Sequence, residues 1–348
     1  MRRYLRFIAI VSLLIGAYFL YNAFFKQHPS IDFYHWKQSY SVPKDALLKP
    51  HYIKCIDIGY NGRDVEYRDT IFKTALNSKI VPVIYIDNRS LSYVDAGQLA
   101  QNIYQNIEKL SQSANFTYEK IEVDCDWTPS SREKYFAMLK ELKAASKKKI
   151  EVTIRLHQIK YASKTGVPPA DSGMLMYYNM SDFTSIDTKN YILDIDVAKR
   201  YHYNFDTYPL MLDLALPLYT QATIIRFSKV VGAIEGVNKD EFIKENFKHL
   251  SDNLYQVTKE HYLKGKLLYE GDRVRFDSVS IPMLQEAIDT LKSIMKRPNK
   301  IVFFRWGNFE SGEKKALEDN ILFYYSFSNE IKKRMRYGKR DDSFACRI

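Results

Sequence analysis

The stretch Ile121-Glu122-Val123-Asp124-Cys125-Asp126-Trp127 alternates an apolar and an acidic side chain at every step. A strand sends successive side chains to opposite faces, so Ile121, Val123 and Cys125 share one face and Glu122, Asp124 and Asp126 the other. Successive acids on that face stand about 7 Å apart. Carboxylates do not stay buried without a partner or water, so the acidic face must meet polar groups or an opening. The run 149–157 supplies such groups: Glu151, Thr153, Arg155 and His157 share one of its faces. Arg155 and His157 are therefore candidate neighbours of Asp124 and Asp126.

Working outward, apolar runs rich in β-branched and aromatic residues recur at 31–38, 52–60, 79–87, 120–127, 149–157, 173–180, 212–219 and 300–306. Helical spacing fills 67–76, 95–110, 131–146, 283–295 and 313–334. Strands alternating with helices require parallel pairing and right-handed crossovers. About eight strands in roughly 300 residues predict an α/β fold, a closed (β/α)8 TIM-like barrel over residues 31–335. No Gly-rich phosphate loop follows an early strand, which argues against a doubly wound nucleotide-binding sheet. Residues 223–237 and 267–279, the latter with a Glu270-Gly271-Asp272 turn, predict a small β insertion between the seventh and eighth strands.

The net charge of +11 is concentrated at the two ends. Arg2, Arg3 and Arg6 precede the first apolar run, and Lys332, Lys333, Arg334, Arg336, Lys339, Arg340 and Arg347 face only Asp341 and Asp342 near the other end. A nucleic-acid surface requires a basic face along the folded body, so no nucleic-acid partner is expected. Residues 336–348 read as a basic tail. Residues 7–25 form a nearly unbroken apolar run that would span about 28 Å as a helix. With arginines before it, the positive-inside rule predicts a single-pass transmembrane anchor, residues 1–6 in the cytoplasm and the barrel in the periplasm or outside the cell. Tyr21 and Asn22 stand where a signal-peptide cleavage site needs small residues. Cys55, Cys125 and Cys346 are too few for a disulfide scaffold or zinc knuckle, although a Cys55–Cys125 bridge stays open. No second histidine lies at ligand spacing from His157, so neither a metal nor another cofactor is expected.

Barrel enzymes place their sites at the carboxyl ends of the strands. Trp36, Trp127, Tyr178, Tyr219 and Trp306 all fall at predicted strand ends, where flat rings can border a ligand cleft. Phe303 and Tyr85, in mid-run, are assigned to the core.

The acidic stretch resembles the DxxDxDxE motif of the chitinase-like glycoside hydrolases (family 18). Asp124 and Asp126 match its second and third aspartates, Ile121 replaces the first, and Thr128 replaces the catalytic glutamate. Met176-Tyr177-Tyr178-Asn179 resembles the M-x-Y-D motif of the sixth strand, with Asn for Asp, and Trp306 resembles the tryptophan that floors the sugar subsite. Tyr34-His35-Trp36, the region of Asp126 and residues 214–219 also resemble a bacterial barrel family of undetermined function. The resemblance implies a cleft for a glycan or polysaccharide, with Asp124 and Asp126 as catalytic carboxylates and Trp36, Trp127, Arg155, His157, Tyr178, Asn179, Tyr219 and Trp306 binding substrate. A threonine hydroxyl does not protonate a leaving oxygen at neutral pH. Two readings follow. One is a hydrolase with a displaced acid, for which Glu270, Glu310 and Asp182 are candidates. The other is a non-catalytic glycan-binding or envelope scaffold protein.

Overall fold

The computed structural model describes Gly16, residues 29–43 and residues 49–306 of the chain. The expected anchor at 7–25, apart from Gly16, and the expected helix at 313–334, the basic tail and Glu310 lie outside the described residues. Among the described residues no helix is long and apolar enough to cross a membrane.

Eight parallel strands close into a barrel: β1 (Ser30–His35), β2 (Tyr52–Tyr60), β3 (Val81–Ile86), β4 (Lys120–Asp124), β5 (Lys149–Arg155), β6 (Ser172–Met176), β7 (Leu212–Pro217) and β8 (Lys300–Trp306). Each strand pairs with its sequence neighbour, β8 lies against β1, and β1 returns to β2 through Tyr34↔Tyr52 and His35↔Ile53. That seam is short. Beyond it, the upper part of β2 pairs antiparallel with Val65–Asp69 instead.

This antiparallel strand corrects the helix expected at 67–76. Asn61 Oδ1 accepts hydrogen bonds from the backbone N–H groups of Arg63 and Asp64, both at 2.8 Å, and Gly62 has φ of 98°. The resulting tight turn sends the chain back along β2, so the β2–β3 crossover carries a hairpin.

The two long barrel helices in the first half follow their sequence patterns. In α1 (Ala96–Ala114) Leu99, Ile103, Ile107 and Leu110 form one buried stripe, and Asp95 caps the first turn by accepting from Gly97 and Gln98. In α2 (Arg132–Ser146) the buried stripe is Tyr135, Met138, Leu139 and Leu142. Ile281–Lys292 forms α3, opened by a Ser280 cap. Cys55 and Cys125 are both buried free thiols, so the bridge left open by the sequence does not form.

The insertion after β7 is larger than the two strands expected. It is a five-stranded antiparallel sheet in the order Lys229–Glu235, Gln221–Arg226, Arg273–Asp277, Leu254–Val257, Phe247–Ser251, with a hairpin of His261–Leu263 and Lys266–Leu268. It has its own core, including Ile224, Phe247, Val257, Val274 and Phe276. The loop between β6 and β7 is tied to this sheet. Asp277 accepts from the backbone N–H of Tyr191 at 3.2 Å, and Arg275 donates to the carbonyl of Ser185 at 3.2 Å. Arg275 and Asp277 are themselves fully buried and paired at 2.9 Å.

Candidate functional site at the carboxyl ends of the strands

The acidic face of β4 turns into the barrel. Tyr34 on β1 donates to both oxygens of Glu122 at 2.8 Å, and two strands separate β1 from β4, so that contact crosses the interior. Ile121, Val123 and Cys125 are buried on the other face, against the helical layer. Deep in the barrel, Glu151 accepts from Tyr52 at 3.0 Å, Lys120 at 2.7 Å and Ser172 at 2.8 Å. Burial, reinforced by Glu151, pushes the Glu122 carboxyl well above the usual carboxylate range. Glu122 therefore holds its proton more tightly than an exposed glutamate and belongs to the packed interior.

One step nearer the mouth, Asp124 accepts from the Thr153 hydroxyl at 2.7 Å. Burial raises its pKa to about 6, the negative charge of Asp126 adds to the rise, and Thr153, Arg155 and Lys54 oppose it. Beyond the last paired residue of β4, Asp126 is exposed and receives two hydrogen bonds from Arg155, Nε to Oδ1 and Nη2 to Oδ2, both 2.7 Å. Thr128 sits in the turn that opens α2. Its backbone N–H donates to Ser131 Oγ at 3.0 Å and its hydroxyl lies 2.8 Å from that of Ser130. A cavity of about 330 Å³ opens over these groups, lined by Asp126, Thr128, Arg155, His157, Tyr178 and Asn179 among others.

His157 reaches this cavity from a helix rather than from β5, because the strand ends at Arg155 and Leu156–Lys160 turns helical. Burial and the neighbouring Arg155 charge lower its pKa, so the ring is neutral at pH 7. Asn179 has φ of 53°, a left-handed conformation that Asn tolerates, and its Oδ1 accepts from the Tyr219 hydroxyl at 2.5 Å.

The aromatic residues divide differently from the sequence expectation. Tyr178 stacks on Phe304, centroids 5.2 Å apart and planes 14° apart, and Trp36 and Tyr219 meet Phe304 edge-on at 5.4 and 5.7 Å. Trp36 also meets Tyr85 at 6.1 Å and carries the Lys54 ammonium 5.3 Å from its ring centroid.

Trp127 borders the cavity but is packed into the wall behind it rather than laid open to it. It is 1% exposed, stacked on Tyr135 of α2 at 5.2 Å, with its indole N–H donating to the Thr165 carbonyl. The alternation explains this correction, since Trp127 follows Ile121, Val123 and Cys125 to the outer face. Trp306 is also buried, packed 6.1 Å from His35, and Phe304 holds the place over the barrel interior expected for it.

Tyr85, assigned to the core by sequence, is 39% exposed because β3 ends one residue later and its register partner is Asp124. Phe303 is buried as expected. On the insertion sheet, Glu235 pairs with Arg305 of β8 at 2.7 Å. Tyr191 has its phenol raised by burial and lies within the fields of Arg155, Asp126 and Glu235. Neither Glu235 nor Tyr191 carried a sequence signal, because only the folded insertion and loop bring them to the mouth. Of the displaced acids considered, Glu270 and Asp182 do not line the cavity. Asp182 is also held ionised by hydrogen bonds from Thr184. Among the described residues no cluster of three His, Cys, Asp or Glu could hold a metal ion.

No protein-family model matches the chain, and no curated protein matches it in sequence. Solved structures do match. A chitinase from Chromobacterium violaceum ATCC 12472 aligns with a TM-score of 0.52 and 11% identity, over 84% of this chain and 99% of that one. The C-terminal domain of a Desulfitobacterium hafniense DCB-2 protein aligns with a TM-score of 0.51 and 11% identity, over 84% and 97%. At such identities the likeness is one of fold. The chain has the fold of the chitinase-like TIM barrels, with its acidic strand end at the mouth.

Proposed function

We propose that this chain is a glycan-binding barrel that grips a sugar polymer across the mouth of the strands without hydrolysing it. The double hydrogen bond from Arg155 to Asp126, beside a threonine at position 128, carries the reading. Glycoside hydrolysis needs a group that hands a proton to the leaving oxygen. Thr128 has no such proton to give, and both carboxylate oxygens of Asp126 are already engaged by the Arg155 guanidinium. Asp124, whose pKa burial raises to about 6, is mostly ionised at neutral pH, and it is buried and engaged by Thr153. The remaining equipment suits binding: Tyr85 and the partly exposed Trp36 and Phe304 offer aromatic surface, and Asn179, Tyr219 and Asp126 offer polar atoms. The likeness of fold to a chitinase favours a β-1,4-linked N-acetylglucosamine chain as the ligand class.

The apolar run at 7–25, with arginines before it, supports a membrane tether that leaves the barrel on the extracytoplasmic side. Protease protection in oriented membranes checks that placement, and digestion of the barrel only from the cytoplasmic side would reverse it.

Calorimetric titration of the full-length protein with chitohexaose, followed by product analysis, tests the binding function. Saturable binding with the oligomer recovered intact is expected. Shorter products whose formation stops in Asp126→Asn would establish hydrolysis instead, and no binding at all would remove the glycan reading.

A further inference from the structure

On the side of the mouth formed by the chain after β5, a second feature continues the cavity wall. The helix Leu156–Lys160 ends on a lysine whose ammonium lies among three tyrosine rings. It stands 4.8 Å from the centroid of Tyr203, 5.3 Å from Tyr161 and 5.4 Å from Tyr201. The same ammonium donates to the backbone carbonyl of Arg200 at 2.6 Å. Tyr201 lines the cavity, while Tyr161 and Tyr203 are exposed, so the cluster leads from the cavity to solvent.

Its charge balance differs from the rest of the mouth. Arg155 is matched by Asp126, Lys54 by Asp57 and Arg305 by Glu235. Among the described residues no carboxylate pairs with Lys160 or with the neighbouring exposed Arg200.

We propose that Lys160, Tyr161, Tyr201 and Tyr203 form an outer subsite for a sugar unit bearing a carboxylate. Tyrosine rings supply flat apolar surface for a pyranose at low entropic cost. An ammonium has three donors, and one here is committed to a carbonyl. A neutral sugar leaves the positive charge unanswered, whereas a carboxylate completes it beside the rings. This subsite rests on the reading of the mouth as a glycan site.

The test compares two tetrasaccharides with the same β-1,4 backbone, titrated into the full-length protein. One is chitotetraose. The other alternates N-acetylglucosamine with N-acetylmuramic acid, which adds lactyl carboxylates. The carboxylated ligand is expected to bind about fivefold more tightly at low salt, with the advantage shrinking as salt rises. Lys160→Met should remove that advantage and leave chitotetraose within about twofold of the original affinity. Tyr203→Ala, with its own thermal melt as a folding control, should weaken the carboxylated ligand. Chitotetraose binding without any preference, or a preference that survives Lys160→Met, overturns the subsite alone. Failure of both ligands to bind overturns the glycan site together with it.

Discussion

Arg155 holds Asp126 by both carboxylate oxygens, each at 2.7 Å, at the point where β4 has ended and β5 is about to. The pair is partly solvated, with 24% of the arginine and 56% of the aspartate side chain exposed, so its net contribution to stability is modest. Arg155→Met is expected to lower unfolding stability by about 1 kcal/mol. Because the arginine is one of the groups holding Asp124 down, the same substitution should raise the Asp124 pKa further. Carboxyl-carbon NMR across about pH 4 to 8 reads that shift. An unmoved Asp124 titration would show that the two groups are not electrostatically linked.

Asp124 also gives a signed pH dependence. Its folded pKa of about 6 lies above the ordinary aspartate value of 3.8, so the folded state binds the extra proton between those values. Stability from this group is therefore greatest below about pH 4 and falls as pH rises through 6, by on the order of 3 kcal/mol. Asp124→Asn keeps an acceptor for Thr153 and loses the titration. Urea midpoints for the two proteins should differ in slope over that window, and parallel curves would contradict the assignment.

Trp127 and Tyr85 should separate packing from recognition. Trp127→Ala removes a buried ring stacked on α2 and is expected to cost about 3–5 kcal/mol, with little change in glycan affinity per folded molecule. Tyr85→Ala removes a partly exposed ring at the mouth. It should change stability by less than about 1 kcal/mol while weakening glycan binding about fivefold or more. Thermal melts and titration calorimetry on both variants measure the contrast, and weakened binding in the tryptophan variant alone would invert the two roles.

Glu122 is expected to tolerate loss of its charge. Burial raises its pKa in the fold, so ionising it there is unfavourable and the penalty grows as pH rises above the unfolded carboxyl range. Glu122→Gln should be at least as stable as the original protein at pH 7, with the difference closing toward pH 4. A variant markedly less stable at neutral pH would mean that Tyr34 binds an ionised carboxylate.

The barrel was legible because its signals are local and periodic. The run 120–127 gave the inner acidic face by alternation alone, and α1 and α2 followed from their apolar stripes. The hairpin at Val65–Asp69 was missed although Asn61-Gly62 carries its turn chemistry, because the following residues also permit helical spacing. Strand ends were the weakest point for the site. The run 79–87 puts Tyr85 in mid-strand, whereas β3 ends at Ile86, and the strand-end position of Trp127 suggests the mouth although parity assigns it outward. Phe304, Glu235 and Tyr191 meet the site through pairings between distant segments, which no short sequence window contains.

The short seam between β1 and β2 has a mechanical consequence. Two register pairs fasten these strands, whereas β5 and β6 share five. Local opening begins where backbone hydrogen bonds are fewest. The ring should therefore unzip first between Tyr34 and Tyr52, and amide deuteration would enter the molecule there. The β4–β5 side, with Asp124 and Arg155, should keep its protons until the whole domain gives way.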